Sequence, residues 1–294
     1  MELIKVGDKT YYLKNNTNIG IYKINDNDIY LIDTGNDKDA GRKILKIVRE
    51  QGWNIKGIIN THSNADHIGG NKFIQDRTDS IVLASSIEDS FVKYPKLEAA
   101  FLYGGFPIEE LNNKFLKASE SKVKLIEDTD LPEGLEYFKL SGHFFNMIGI
   151  KTSDDVYFLG DSLFSAETIN KYHVFFIYDV AGFLNTLDFL EGLEGKLFIP
   201  SHVEALESIS ELININRNKI YEIINVILDY VNIAHTLEEI LKYVFDKYEL
   251  ILNMNQYVLV GSTIKSYLAY LCNEKKLVYK FQDNRLYFEV SSEF

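Results

Sequence analysis

The stretch Thr61-His62-Ser63-Asn64-Ala65-Asp66-His67-Ile68-Gly69-Gly70 sets two imidazoles and a carboxylate within six positions, directly after the apolar run from Ile55 to Ile59. Groups of this kind are costly to bury unless they bind something. In an extended backbone residues 62 and 64 point to the same side, and residues 66 and 67 would open the first turn of a following helix. All four can then face one centre. Neutral imidazole and carboxylate suit zinc and related borderline cations, with an open position left for a reactive water. A single histidine is more often a surface or core residue, and clustering is what lifts this set above that reading.

Three further apolar runs stop at residues of the same chemistry. They are Tyr137-Phe138-Lys139-Leu140-Ser141-Gly142-His143, Val156-Tyr157-Phe158-Leu159-Gly160-Asp161 and Leu197-Phe198-Ile199-Pro200-Ser201-His202. Any one alone reads equally well as a turn residue, but strand ends are where sheets present chemistry. Upstream, the hairpin-like pair Gly20 to Ile24 and Ile29 to Ile32 leads into Asp33-Thr34-Gly35, and residues 37 to 51 carry helical periodicity. Strands alternating with helices predict a layered α/β domain.

Apolar residues recur at mostly helical spacing between about 87 and 119, broken by Gly104-Gly105 and Pro107. This predicts two helices and a kinked link placed to cover a pocket. Beyond about residue 210 the pattern turns helical, with an apolar run from Ile220 to Ala234 and a helix start at Thr236, where Glu239 completes a capping-box spacing. A third helix over Val258 to Leu271 precedes alternating runs at 277–281 and 285–288, a β-hairpin. Helices followed by a hairpin resemble a winged-helix module. The expected division is therefore a catalytic domain over 1–212 and a small helical, winged-helix-like domain over 213–294.

A net charge of −12 over 294 residues argues against nonspecific attraction to nucleic acid and leaves a small molecule as the expected substrate. Cys272 is the only cysteine, so thiolates cannot hold the metal and no intrachain disulfide exists. The first nine residues show no targeting pattern and no stretch is apolar enough to span a bilayer, which predicts a cytoplasmic protein without a membrane partner. The apolar C-terminal helices would either cover the first domain or form a homodimer interface.

The ordered set Asp33-Thr34-Gly35, Thr61-His62 through His67, Gly142-His143, Gly160-Asp161 and Ser201-His202 resembles the five signature motifs of the metallo-β-lactamase superfamily, in a glyoxalase II-like version, over roughly residues 15–205. The resemblance implies an αββα sandwich with metals at one edge. It also implies that His62 and His143 belong to one metal site, Asp66, His67 and His202 to a second, and that Asp161 bridges them. Asp33 would brace the ligand loop from behind, although a plain turn carboxylate is nearly as good a reading. One position departs from the pattern: Asn64 stands where the family has histidine. An amide oxygen is a weaker and harder donor than imidazole. Three outcomes are open: a dinuclear site with a weak first metal, a mononuclear site on Asp66, His67, Asp161 and His202, or a preference for manganese or iron over zinc. The asymmetric dinuclear site is favoured, with one or two zinc ions.

Function follows as an expectation. A divalent cation lowers the pKa of bound water, so a metal-bound hydroxide would cleave an ester, thioester or lactone of a small molecule, with Asp66 orienting the water and taking its proton. A nuclease acting on RNA or DNA is the alternative suggested by the C-terminal module, opposed by the acidic charge balance. A non-catalytic metal-binding protein is the third reading. The remaining histidines are read as structural: His173 by a margin of its apolar surroundings, His235 as a solvated loop residue before the Thr236 helix.

Overall fold

The computed structural model describes residues 1–292. Strands β1 (Glu2–Lys5), β2 (Thr10–Lys14), β3 (Ile19–Lys23) and β4 (Asp28–Ile32) form an antiparallel meander. The sheet then continues in parallel through β5 (Asn54–Ile59), β6 (Ile81–Ala84) and β7 (Lys124–Leu125). A parallel neighbour requires a crossover, and helices supply each one. The first is α1 (Lys38–Glu50), whose N-terminus Asp37 caps by accepting the N–H groups of Asp39 and Ala40. The second is α2 (Ala65–Ile68) with α3 (Asn71–Thr78), and the third α4 (Glu88–Lys93) with α5 (Lys96–Tyr103). A second sheet contains β8 (Leu135–Lys139), β9 (Ile148–Thr152) and β10 (Val156–Phe158), antiparallel, with β11 (Leu197–Ile199) parallel to β10. The β10 to β11 crossover carries α6 (Ala166–Tyr172) and α7 (Val180–Glu191).

Alternation along the strands decides the layering. Ile19, Ile21, Ile29 and Leu31 turn outward onto Ile44, Leu45 and Val48 of α1 and Ile74 of α3. Their neighbours Tyr22, Tyr30 and Ile32 turn inward onto Ile148, Ile150, Val156 and Phe158 of the second sheet. The far face of that sheet, including Tyr157 and Phe198, packs on α6, α7 and the C-terminal helices. The result is helix, sheet, sheet, helix, the expected αββα architecture.

The chain ends in α8 (Ser210–Tyr230), α9 (Leu237–Lys247) and α10 (Met254–Asn273), with a three-stranded sheet in the order β12 (His235–Thr236), β14 (Arg285–Val290), β13 (Leu277–Gln282). Thr236 and Glu239 form the reciprocal capping box that their spacing predicts. Two expectations need correction. The two helices of the 87–119 segment lie wholly before Gly104, whose left-handed φ of 77° ends α5 instead of kinking a link; only a short 3-10 turn at Glu109–Leu111 follows. His235 is not a solvated loop residue: it pairs with Phe288 as part of β12 and stacks on Tyr230 at 4.1 Å. Among the described residues no helix is long and apolar enough to cross a membrane.

Candidate metal centre

β4 and β5 run in parallel and end side by side, and Asp33, just past β4, ties the two ends together. Its carboxylate accepts the Thr61 N–H at 2.8 Å and the Thr61 hydroxyl at 2.7 Å, and its Oδ2 lies 2.8 Å from Nδ1 of His67. Asp33 holds a left-handed φ of 63° to do this, a conformation Asp tolerates better than most residues. The ligand loop is pressed against the Asp33-Thr34-Gly35 turn so closely that a Cβ on Gly69 would meet the Asn36 backbone at 2.3 Å. Gly142, at φ 122°, likewise brings the loop before His143 under α7, where a Cβ would lie 2.2 Å from the Phe183 nitrogen.

Each imidazole of the predicted set is fixed by its Nδ1. His143 donates to the Phe176 carbonyl at 3.0 Å and His202 to the Asn16 carbonyl at 2.7 Å. His67 faces Asp33, and His62 Nδ1 lies 3.1 Å from the Thr61 hydroxyl, whose own proton goes to Asp33. With Nδ1–H committed outward, the neutral ring presents Nε2 as a lone pair toward the interior.

Those inward atoms fall into two groups. Donor atoms of His62, His143 and Asp161 lie within 4.8 Å of one another, as do those of Asp66, His67 and His202. Asp161 reaches both: its Oδ1 is 3.2 Å from His67 Nε2, and its Oδ2 is 3.2 Å from His202 Nε2 and 3.6 Å from His143 Nε2. Asp66 Oδ2 stands 3.3 Å from His202 Nε2 and accepts the Thr17 hydroxyl at 3.2 Å. Buried Nε2 of His62 and His67 and Oδ1 of Asp161 have no hydrogen-bond partner. Buried acceptors without donors are costly, and a shared cation would satisfy all three, so the residues fit a divalent metal. The six predicted ligands converge, and Asn64 and Asp33 sit beside them.

Burial and charge set the protonation of the metal-free centre. Burial, reinforced by the neighbouring His67, holds His62 well below the usual imidazole range, and burial lowers His143 as well. For His67 and His202 burial works in the same direction, but the carboxylates of Asp161 and Asp66 outweigh it and raise both well above that range. Burial would raise Asp66 and Asp161, yet the same two imidazoles pull both down. The metal-free centre is thus a set of ion pairs whose protons a cation would displace.

Two buried carboxylates here are not among the residues that the sequence pattern singles out. Glu88 of α4 accepts the Ser63 N–H at 2.9 Å, the Ser63 hydroxyl and the Asn146 N–H at 2.8 Å, so it joins the ligand loop to the loop that follows His143. Glu98 of α5 accepts Asn64 Nδ2–H at 2.8 Å. The signal available was a glutamate on the apolar face of a short amphipathic helix, in Leu97-Glu98-Ala99-Ala100-Phe101-Leu102. His173 lies outside the centre, stacked on Tyr248 at 4.9 Å.

Burial pushes Glu88 up to about 7 in spite of its three donors. With a folded value above the unfolded one, the folded state retains a proton that the unfolded chain releases between roughly pH 4.5 and 7, so this group's contribution to stability falls as pH rises through that window. Glu88→Gln cannot ionise. Its stability relative to the wild type, both metal-free, should rise by about 1–3 kcal/mol between pH 5 and pH 8 in denaturant titrations. A relative fall would show that the carboxylate is favoured in the fold.

The centre opens into a cleft of about 790 Å³. Asp66, with 39% of its side chain exposed, and His202, with 24%, are the candidate ligands that face it most openly. Leu102, Leu116, Phe164, Phe175 and Phe176 make much of the wall, and Asn255, Gln256 and Leu259 of α10 close one side.

Comparison with known proteins places this geometry in context. Residues 14–202 match the family model described as the metallo-beta-lactamase superfamily. Two hydroxyacylglutathione hydrolases of Prochlorococcus marinus are 25% and 26% identical over 155 and 153 residues, half of this chain and 54% of theirs. The chain therefore spans about half the length of the curated relatives it matches. Among solved structures, a beta-lactamase domain protein from Burkholderia ambifaria aligns over 99% of this chain and 94% of its own with a TM-score of 0.77 at 13% identity. A metallo-beta-lactamase family protein from Thermus thermophilus aligns over 98% and 97% with a TM-score of 0.69 at 17% identity. Likeness at these identities is a likeness of fold.

Proposed function

The chain belongs to the metallo-beta-lactamase superfamily, and from that premise we propose that it is a metal-dependent hydrolase cleaving an ester, thioester or lactone of a small molecule. The observation that carries this reading is the convergence of four inward Nε2 atoms with two carboxylates at the floor of a partly apolar cleft. We take His62, His143 and Asp161 as one metal site and Asp66, His67 and His202 as the other, with Asp161 shared, and zinc as the first metal to test. A divalent cation supplies activated water and polarises the scissile carbonyl when bound.

The protein's own residues do the rest. Asp33, Thr61, Phe176 and Asn16 hold the four rings in register through Nδ1. Asp66 Oδ2, fixed by the Thr17 hydroxyl at the open side of the centre, accepts the proton of the attacking water. The phenylalanine and leucine wall excludes water from an acyl chain. The name of the curated relatives, hydroxyacylglutathione hydrolase, puts thioesters first among the candidate substrates. The division into units 1–212 and 213–294 belongs to the same proposal, with α10 of the second unit shaping the cleft of the first.

Turnover of an ester, thioester and lactone panel should fall to background on chelation and return on adding zinc or manganese. A protein that carries metal but prefers phosphodiesters, with steeply salt-dependent RNA or DNA binding, would move the assignment to the nuclease. Lys171 is the one lysine or arginine among the described residues that line the cleft, set against Glu167, Asp66 and Asp161, which opposes that outcome.

A further inference from the structure

At the position where an imidazole is missing, the structure offers a two-residue device. His143 Nδ1 faces the Phe176 carbonyl, which can only accept, so Nδ1 carries the ring's proton and Nε2 is a bare lone pair in the neutral ring. Nevertheless Asn64 Oδ1, another acceptor, stands 3.1 Å from that Nε2. Two acceptors turned toward each other need a positive charge beside them, and Asp161 Oδ2, 3.6 Å from the same nitrogen, adds a third acceptor. Asn64 is held in this orientation from its other end, where Nδ2–H goes to Glu98 Oε1 at 2.8 Å.

Glu98 is 5% exposed and sits in the first turn of α5. That helix is anchored by Ala99 and Leu102 against Leu111, Leu116 and Val258. Glu98 Oε1 accepts the Asn64 N–H whether or not the carboxyl is ionised, and that contact turns the amide oxygen toward His143.

We propose that Glu98 is the positioning residue of the first metal site: it locks Asn64 with Oδ1 toward the cation shared by His62, His143 and Asp161, building a site richer in oxygen than one with a third imidazole. The inference rests on the metal-centre reading above and adds a residue to it. Metal preference follows from donor hardness. The gap between zinc and manganese affinity at this site is narrower than it would be with histidine at position 64.

Calorimetric titration of the chelator-treated full chain with zinc, and with manganese read by paramagnetic resonance, tests this without any assay of turnover. Wild type should show two unequal events. Glu98→Met keeps length and helix propensity but removes the acceptor, and should weaken the weaker event by about 10–100-fold while leaving the tighter one within about threefold. Glu98→Gln still accepts the Asn64 N–H and should stay within about threefold of wild type. Asn64→His should widen the zinc-to-manganese ratio at the weaker site at least about tenfold and abolish the effect of Glu98→Met. If Glu98→Met does not fold, Glu98→Asp, which withdraws the acceptor by one methylene, must show the same selective loss. The proposal is overturned if the weaker event is unchanged in Glu98→Met or Glu98→Asp, if Glu98→Gln loses as much as Glu98→Met, or if the loss persists with His at position 64. Absence of any metal binding by wild type would instead sink the metal-centre reading itself.

Discussion

Asp161→Ala is expected to abolish metal binding at both sites and turnover with it. The residue follows β10 through Gly160, is 6% exposed, and puts its two oxygens within 3.2 to 3.6 Å of His67, His202 and His143. No other carboxylate among the described residues reaches both groups of donors. In the metal-free protein it is also the counter-charge of His67 and His202, and stripping the partner from a buried ion pair costs about 3–5 kcal/mol. The variant should therefore melt well below the wild type, and added zinc should not rescue it. Wild type, in contrast, gains about 2.7 kcal/mol once free metal exceeds its dissociation constant a hundredfold. Thermal melts with and without zinc, alongside elemental analysis, check both parts. A variant that retains two metal ions per chain, or that zinc still stabilises by the wild-type margin, would remove Asp161 from the bridging role.

How much of this was legible in the sequence follows from where the chemistry sits. His62, His143, Asp161 and His202 each follow closely on an apolar run, and Asp66 and His67 share the His62 segment, so a strand-by-strand reading finds them before any coordinates exist; the same runs give a layered α/β domain, and the αββα order comes from the family resemblance. β1 and β2 escape that reading because Leu3-Ile4 and Tyr11-Tyr12-Leu13 are short and flanked by charge, and β1 is the edge strand of its sheet. Glu88 and Glu98 escape it for another reason. A glutamate in an amphipathic helix scores as surface, and only the fold reveals that α4 and α5 turn these two carboxylates inward, onto the Ser63 and Asn64 of the ligand loop. Local pattern records which side chains are polar. What a polar side chain faces depends on loops such as 104–119, where glycine and proline end one helix without predicting the next contact.

The same distinction between ligand and neighbour bears on Asp66, whose replacement carries the second large effect. Asp66 is both a candidate ligand, 3.3 Å from His202 Nε2, and the centre's most exposed carboxylate. Asp66→Ala removes both functions, and turnover should fall by at least about 10³-fold, since positioned general bases alone contribute about 10²–10⁴. Asp66→Asn separates them. The amide oxygen can still meet a cation, so zinc content should fall far less than in the alanine variant, whereas an amide cannot take a proton from water near neutral pH. The asparagine variant is thus expected to keep metal and substrate affinity, to lose kcat by about 10²–10⁴, and to lose the acid limb of the wild-type pH profile. Thr17→Val supplies the graded case: it deletes the hydroxyl that donates to Asp66 Oδ2 at 3.2 Å, leaving the carboxylate in place, and should move that acid limb to higher pH with little change in metal content. Stopped-flow progress curves on a chromogenic thioester, with metal quantified on the same samples, read all three. Near-normal kcat in Asp66→Asn would transfer the proton to another group, and near-normal kcat in Asp66→Ala would deny the residue either function.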